Sequence, residues 1–312
     1  MNQELIGNLL GIQYLKTGER GRGRVCDYHG KPHPLMLNKT PHKIDVSGLK
    51  SKQRKDAVRL TDTFEYESKF TIGVEVEKNE LHRGSVKEYE LFCGFERDGS
   101  CGYEAVTHVL PLLPSGKWRN KVFDMIHKAE RIIDDRYSPS DRNCGGHISI
   151  GVVGMSGDAI REAVRLNVGI VLSLFRHRLN TKYCGANRRL QSNNDETFNS
   201  WGNCRDYRSC RSHRKYQTAL VKDEILEFRL PSKFESVKQT FRRYELFYEI
   251  VNFSINNPNG KHETLLKTLR PIVLSMYDGD VEVTDKIIGY APLFREFILS
   301  GEIHEDIEKY LR

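Results

Sequence analysis

The sequence predicts an α+β protein in which helices cover one face of a mainly antiparallel sheet. Three observations lead there. Short segments between Phe70 and Leu230 alternate apolar and polar residues, as half-buried strands do. Segments of helical period separate and follow them. The chain has 312 residues, 38% hydrophobic and 29% charged, enough for one large core-forming domain or two small ones and unlike a disordered chain.

Residues 1–65 stand apart. They carry GERGRGR (18–24), HGKPHP (29–34) and KSKQRKD (50–56), and they lack sustained periodicity. They read as a basic, loosely structured arm, with short helices near 3–15 and 50–60. The rest, 66–312, reads as the main domain with a helical C-terminal part. Strands are expected at 70–77, 86–94, 102–108, 146–153 and 224–230. A helix fits 116–135, where Trp118, Val122, Ile126, Ala129 and Ile133 recur on one side. A second fits 157–179, and others fit 235–255, 262–277 and 283–309. Residues 185–214 read as a polar loop rich in Arg and Asn. No internal repeat is visible.

Composition narrows the function classes. A net charge of +7 favours acidic partners, though a solvated basic surface accounts for it equally. The N-terminal segment lacks a basic leader and a continuous apolar run. The most apolar stretch, VGIVLSLF at 168–175, is far shorter than the ~20 residues a bilayer requires, so no membrane association is expected. The seven cysteines are odd in number and scattered, which reads as reduced thiols in a cytoplasmic protein. Cys26, His29 and His33, and Cys204, Cys210 and His213, have zinc-ligand chemistry at spacings that are not common zinc patterns; separate loop residues are the simpler reading. Cys184 has no base among its neighbours and reads as packing or pocket wall. GERGRGR lacks the order of a phosphate loop.

The strongest signal is a repeated strand pattern. In FTIGVEVE, Phe70, Ile72, Val74 and Val76 share one face; Glu75 and Glu77 share the other. In 146–152, Ile148, Ile150 and Val152 oppose His147 and Ser149. In 225–230, Leu226, Phe228 and Leu230 oppose Glu227 and Arg229. The segment 103–110 adds Glu104. Each has an ordinary reading alone: solvent-facing carboxylates, a structural histidine, half of an ion pair. Together, if the strands are neighbours, they line one sheet face with four carboxylates and an imidazole. Crowded like charges disfavour ionisation unless a cation offsets them. Carboxylates are hard ligands suited to Mg²⁺ or Mn²⁺, imidazole is compatible with Mn²⁺, and the planar fork of Arg229 suits a phosphate.

In this order the residues resemble the amidoligases, a branch of the carboxylate–amine ligase superfamily that includes glutamine synthetase and glutamate–cysteine ligase. The resemblance runs from about Phe70 to about Ile255. It rests on Gly73, Glu75 and Glu77; on Asp98-Gly99-Ser100 followed by Glu104; on Cys144-Gly145-Gly146-His147-Ile148-Ser149-Ile150-Gly151; on Arg176 and Arg178 before Tyr183-Cys184; and on Glu227-Phe228-Arg229. What it implies is a curved, mainly antiparallel sheet with helices on the convex face and ATP with divalent cations (Mg²⁺ or Mn²⁺) on the concave one. A carboxylate would attack ATP to give an acyl phosphate, and an amine would displace phosphate to leave an amide. By match, Glu75, Glu77, Glu104, His147 and Glu227 would be metal ligands and Arg229 would face the γ-phosphate. Asp98 would meet the substrate amine or act as base. Arg176 and Arg178 fit either a phosphate or carboxylate contact or an exposed helix end. The sequence departs from the pattern at Gly146, at Ser149 where a second histidine often sits, and at Thr107-His108 in place of Ser-Pro; His108 reads as a strand-end residue. Two other readings stay open. One is a guanidino or amine phosphotransferase on a related sheet. The other is nucleic-acid binding through the basic arm and the Arg- and Tyr-bearing loop 203–215, which the acidic sheet face disfavours.

Overall fold

The computed structural model describes residues 70–82, 91–98, 101–107, 110–113, 117–152, 154–164, 168–175, 177–178, 219–222, 225–277 and 292–307. The arm at 1–65, both Cys/His sets, Arg176, His108, Cys184 and the loop at 185–214 lie outside these residues.

Seven strands form one sheet: β1 (Phe70–Lys78), β2 (Phe92–Asp98), β3 (Gly102–Thr107), β4 (Leu110–Pro111), β5 (Gly146–Val152), β6 (Ala219–Lys222) and β7 (Ile225–Phe228). Their order is β2-β3-β1-β5-β7-β6, with β4 also on β1, and every pairing is antiparallel. β1 gains partners on both edges. β3 pairs its second half and β4 its start, so Val74 falls at the handover and its N–H donates to Thr107 Oγ1 at 2.9 Å. That hydroxyl supplies the acceptor a continuous neighbour would have given.

Register fixes which face each residue takes. Ile72 pairs with Ile150, Val74 with Ile148, and Ile148 in turn with Phe228, so the apolar sets of three strands fall on one side. Helices cover that side: α1 (Lys117–Lys128), α2 (Glu130–Ile133), α3 (Gly157–Val164), α4 (Val168–Leu174), α5 (Val237–Asn256), α6 (His262–Met276) and α7 (Pro292–Ser300). α5 is the central one. It buries Tyr244, Phe247, Ile250 and Val251 at helical spacing against the sheet's apolar face. Its start is fixed by Ser236, which accepts from Gln239 N at 3.1 Å, while Gln239 Oε1 accepts from Glu235 N at 3.0 Å. α6 adds Leu265, Leu266, Leu269 and Val273 to the same hydrophobic cluster.

Several expected boundaries move. Among the described residues the second strand begins at Phe92 and runs past the expected 94 to Asp98, closing through Gly102, while 86–90 of the expected strand lie outside the described residues. Gly102 has φ +108°, and a Cβ there would lie 2.6 Å from the Asn79 carbonyl oxygen, so the turn depends on glycine. The helix expected over 116–135 breaks at Ala129, between α1 and α2. The last helix ends at Ser300 instead of continuing to 309, because Gly301 takes φ +86° and its N–H closes on the Phe297 carbonyl at 2.8 Å. β6 was not expected, since the two residues that separate it from β7, Asp223 and Glu224, carry no glycine or asparagine turn signal. Among the described residues no helix is long and apolar enough to cross a membrane.

Phe228 tests the core assignment. It is fully buried and its ring lies 4.9 Å from that of Phe247, joining β7 to α5. Phe228→Ala should lower unfolding stability by about 3–5 kcal/mol, read as a lower denaturant midpoint at unchanged slope.

Candidate functional site

The polar face of the sheet is built around β1. Glu75 stands opposite His147 of β5, and Glu77 stands opposite Glu104 of β3. Ser149, two residues on from His147, pairs with Glu227 of β7. Paired residues in an antiparallel ladder share a face. Glu75, Glu77, Glu104, His147 and Glu227 therefore come to one side, from four strands separated in sequence.

The side chains then close the distance. His147 Nδ1 lies 2.7 Å from Glu75 Oε2, and Nε2 lies 3.5 Å from Glu77 Oε1, so the imidazole sits between two carboxylates. One ligand atom each from Glu75, His147 and Glu227 falls within 4.8 Å of the others. These groups are shielded from water: Glu75 is 9% exposed, Glu77 7%, Glu104 6%, His147 5% and Glu227 0%. Carboxylates so enclosed require positive charge or hydrogen-bond donors beside them. Glu227 has both: its Oε1 meets Arg229 and its Oε2 meets Lys222, each as an ion pair. Glu77 Oε2 accepts from Gly145 N at 2.5 Å.

The segment before β5 brings a further cation. Arg178 is 4% exposed, so of its two sequence readings the exposed helix end is ruled out. Its Nη1 donates to the carbonyls of Cys144, at 3.0 Å, and Arg142, at 3.2 Å. A Cβ on Gly145 would lie 3.0 Å from Arg178 Nη2, 3.3 Å from His147 Nε2 and 3.4 Å from Glu77 Oε2. The missing side chain is what lets guanidinium, imidazole and carboxylate gather around one point.

Gly146 has a local cause. A Cβ there would stand 2.3 Å from the Ser232 carbonyl oxygen and 2.6 Å from the Phe234 ring. The chain at 231–234 crosses directly beneath, bridging Gly145 to Ser232, with Gly146 N donating to Pro231 O at 3.1 Å. Two buried cations tie this crossing down. Lys78 Nζ donates to Phe234 O at 2.7 Å and to Asp135 Oδ1 at 2.6 Å; Asp135 Oδ2 also accepts from Lys233 at 2.6 Å. Arg243 bonds the Ser232 carbonyl and, at 2.7 Å, its hydroxyl, with its guanidinium 4.8 Å from the Phe234 ring centre. Burial pushes the Lys78 and Arg243 pKa values down, Asp135 partly offsetting the effect at Lys78 and Tyr277 at Arg243.

Asp98 closes β2 opposite Gly102, two strands from β1 and two residues beyond the level of Glu104. The register does not bring its backbone to the cluster. Lys222 was not foreseen as a site residue. Its place follows from β6, whose pairing of Leu220 with Glu227 puts Leu220 and Lys222 on the acidic side.

No protein-family model matches the chain, and no curated protein matches it.

Cys144, next to Gly145, provides a check on this packing. Burial, with the nearby charges of Glu77 and Asp141, pushes its thiol up to about 11, while the backbone contact to Asp141 acts the other way. Only the thiolate reacts, so at pH 8 Cys144 should resist alkylation in the folded protein and label rapidly after denaturation, as peptide mass spectrometry would read. Fast labelling of the native protein would place this segment differently.

Proposed function

We propose that this chain is an ATP-dependent carboxylate–amine ligase of the amidoligase type, forming an amide through an acyl phosphate at a divalent-cation site. The observation that carries the reading is the meeting of Glu75, His147 and Glu227 within 4.8 Å, on the sheet face that also holds Glu77 and Glu104. Two carboxylates and an imidazole are a fitting donor set for Mn²⁺, and the carboxylates alone suit Mg²⁺. Glu75, His147 and Glu227 would hold one cation, with Glu77 and Glu104 supplying ligands beside it. A cation bound there would neutralise charge on the oxygens of the triphosphate.

The chain's own groups divide the remaining work. Arg229 would present its planar fork to the phosphoryl group, and Arg178 would add fixed positive charge at the rim near Gly145. Both are held by other contacts before substrate arrives, so little reorganisation is needed when charge develops. One ring nitrogen of His147 would take the cation, leaving the other to a neighbouring glutamate that would orient the ring. The roles of Asp98, toward the substrate amine, and of Arg176, toward phosphate, rest on the family resemblance alone. The fine architecture, a curved sheet of the glutamine synthetase type, belongs to the same proposal. Nucleic-acid binding is disfavoured because a phosphate backbone would meet the carboxylates.

The decisive assay measures ADP release. It should require a carboxylate and an amine together, stop with a chelator and return with Mg²⁺ or Mn²⁺. Glu75→Gln and Glu227→Gln should each lower turnover by about 100-fold or more with an unchanged circular dichroism spectrum. A stable phosphorylated guanidine or amine, with no amide, would replace this reading with phosphotransfer. Normal activity in both variants would remove the site assignment.

A further inference from the structure

We propose that Lys222 is an internal counter-ion that occupies Glu227 in the metal-free protein and must leave when a divalent cation loads, so that it sets the affinity of the site for metal. The inference rests on the metal reading above.

Glu227 is fully buried, and both of its oxygens are already engaged, Oε1 with Arg229 and Oε2 with Lys222. A divalent ion cannot simply be added to such a carboxylate. It must replace one of the two cations, because an enclosed carboxylate shared by three positive centres leaves like charges in contact. The structure indicates which one yields. Arg229 follows directly on β7, two residues from Glu227, and its guanidinium is rigid and planar. Lys222 ends β6, the last strand of the sheet among the described residues, and carries its ammonium on a flexible four-carbon stem. Its side chain is 22% exposed, against 14% for Arg229, so it has a route to water. Displacement therefore returns the Lys222 ammonium to water, while Arg229 stays beside Glu227.

The arrangement does two things. Without metal, it adds a second compensating charge, beside Arg229, to the buried Glu227. With metal, it opposes loading by the same factor that metal opposes the Lys222–Glu227 pair, since coupling between two ligands for one group is reciprocal. The site would then fill only where the divalent cation is abundant or arrives with its nucleotide.

The test uses the full chain and Mn²⁺ as the probe. Mn²⁺ binding, followed by the loss of free-ion electron paramagnetic resonance signal, should be about 10-fold tighter in Lys222→Met than in wild type. In the wild-type protein, acylation of Lys222 read by peptide mass spectrometry should rise several-fold on saturation with Mn²⁺, which needs no variant to fold. Equal or weaker Mn²⁺ binding in a folded Lys222→Met, or Lys222 labelling indifferent to saturating Mn²⁺, would overturn the counter-ion role and leave the metal site standing. Absence of Mn²⁺ binding in both proteins would overturn the metal reading and this inference with it.

Discussion

Enclosing several carboxylates on one face of a sheet is the constraint around which the rest of this molecule is arranged. A strand that buries its apolar side must send Glu75 and Glu77 to the opposite side, and β1 is paired on both edges. Those acids cannot escape to a free edge. Antiparallel register then sets His147 against Glu75 and Glu104 against Glu77. Each pairing adds a polar group to an already charged surface, and each requires compensation in place. The compensation is visible at Glu75, Glu77 and Glu227: imidazole at the first, a backbone N–H at the second, two cations at the third.

That surface keeps its shape because the opposite side is tied down. The segment 231–234 runs under the start of β5 and is held by hydrogen bonds from Lys78 and Arg243, both fully buried. Lys78 sits on the core face of β1, one residue from Glu77 on the polar face. Asp135 gives it an anionic partner, which makes burial of the ammonium tolerable. Two successive glycines are the consequence. Gly146 leaves room for the Ser232 carbonyl below, and Gly145 leaves room for Arg178, His147 and Glu77 above. The crossing segment and the charged face thus meet at a single dipeptide, and each glycine answers to a different one of them.

Charge balance links this geometry to the proposed chemistry. Arg178, Lys222 and Arg229 stand among the acids of a site read as binding cations and phosphates. The two roles conflict only if the positive groups are fixed. Arg178 is fixed by backbone carbonyls and Arg229 by its position on β7, whereas Lys222 has a flexible stem and partial access to solvent. In the proposed reading, a mixture of fixed cations and one on a flexible stem would let the face stay compensated and still admit a metal.

The alternation of FTIGVEVE, GHISIGV and ILEF was sufficient to say which residues share a face, because a pleated strand has a period of two whatever it is paired with. Helix positions were legible for the same kind of reason, although their ends were not: the break at Ala129 and the stop at Gly301 are backbone events that the periodicity does not carry. Lys222 was not legible, because Asp223-Glu224 gives no turn signal and a short strand has no pattern of its own. The exposed-helix-end alternative for Arg178 fell for a related reason, since its burial depends on carbonyls from a distant segment. The sequence by itself determined the sorting of acids and apolar residues to opposite faces. Only the tertiary structure decided which acids meet, at what distance and beside which cations, because register and strand order arise from contacts between residues far apart in the chain.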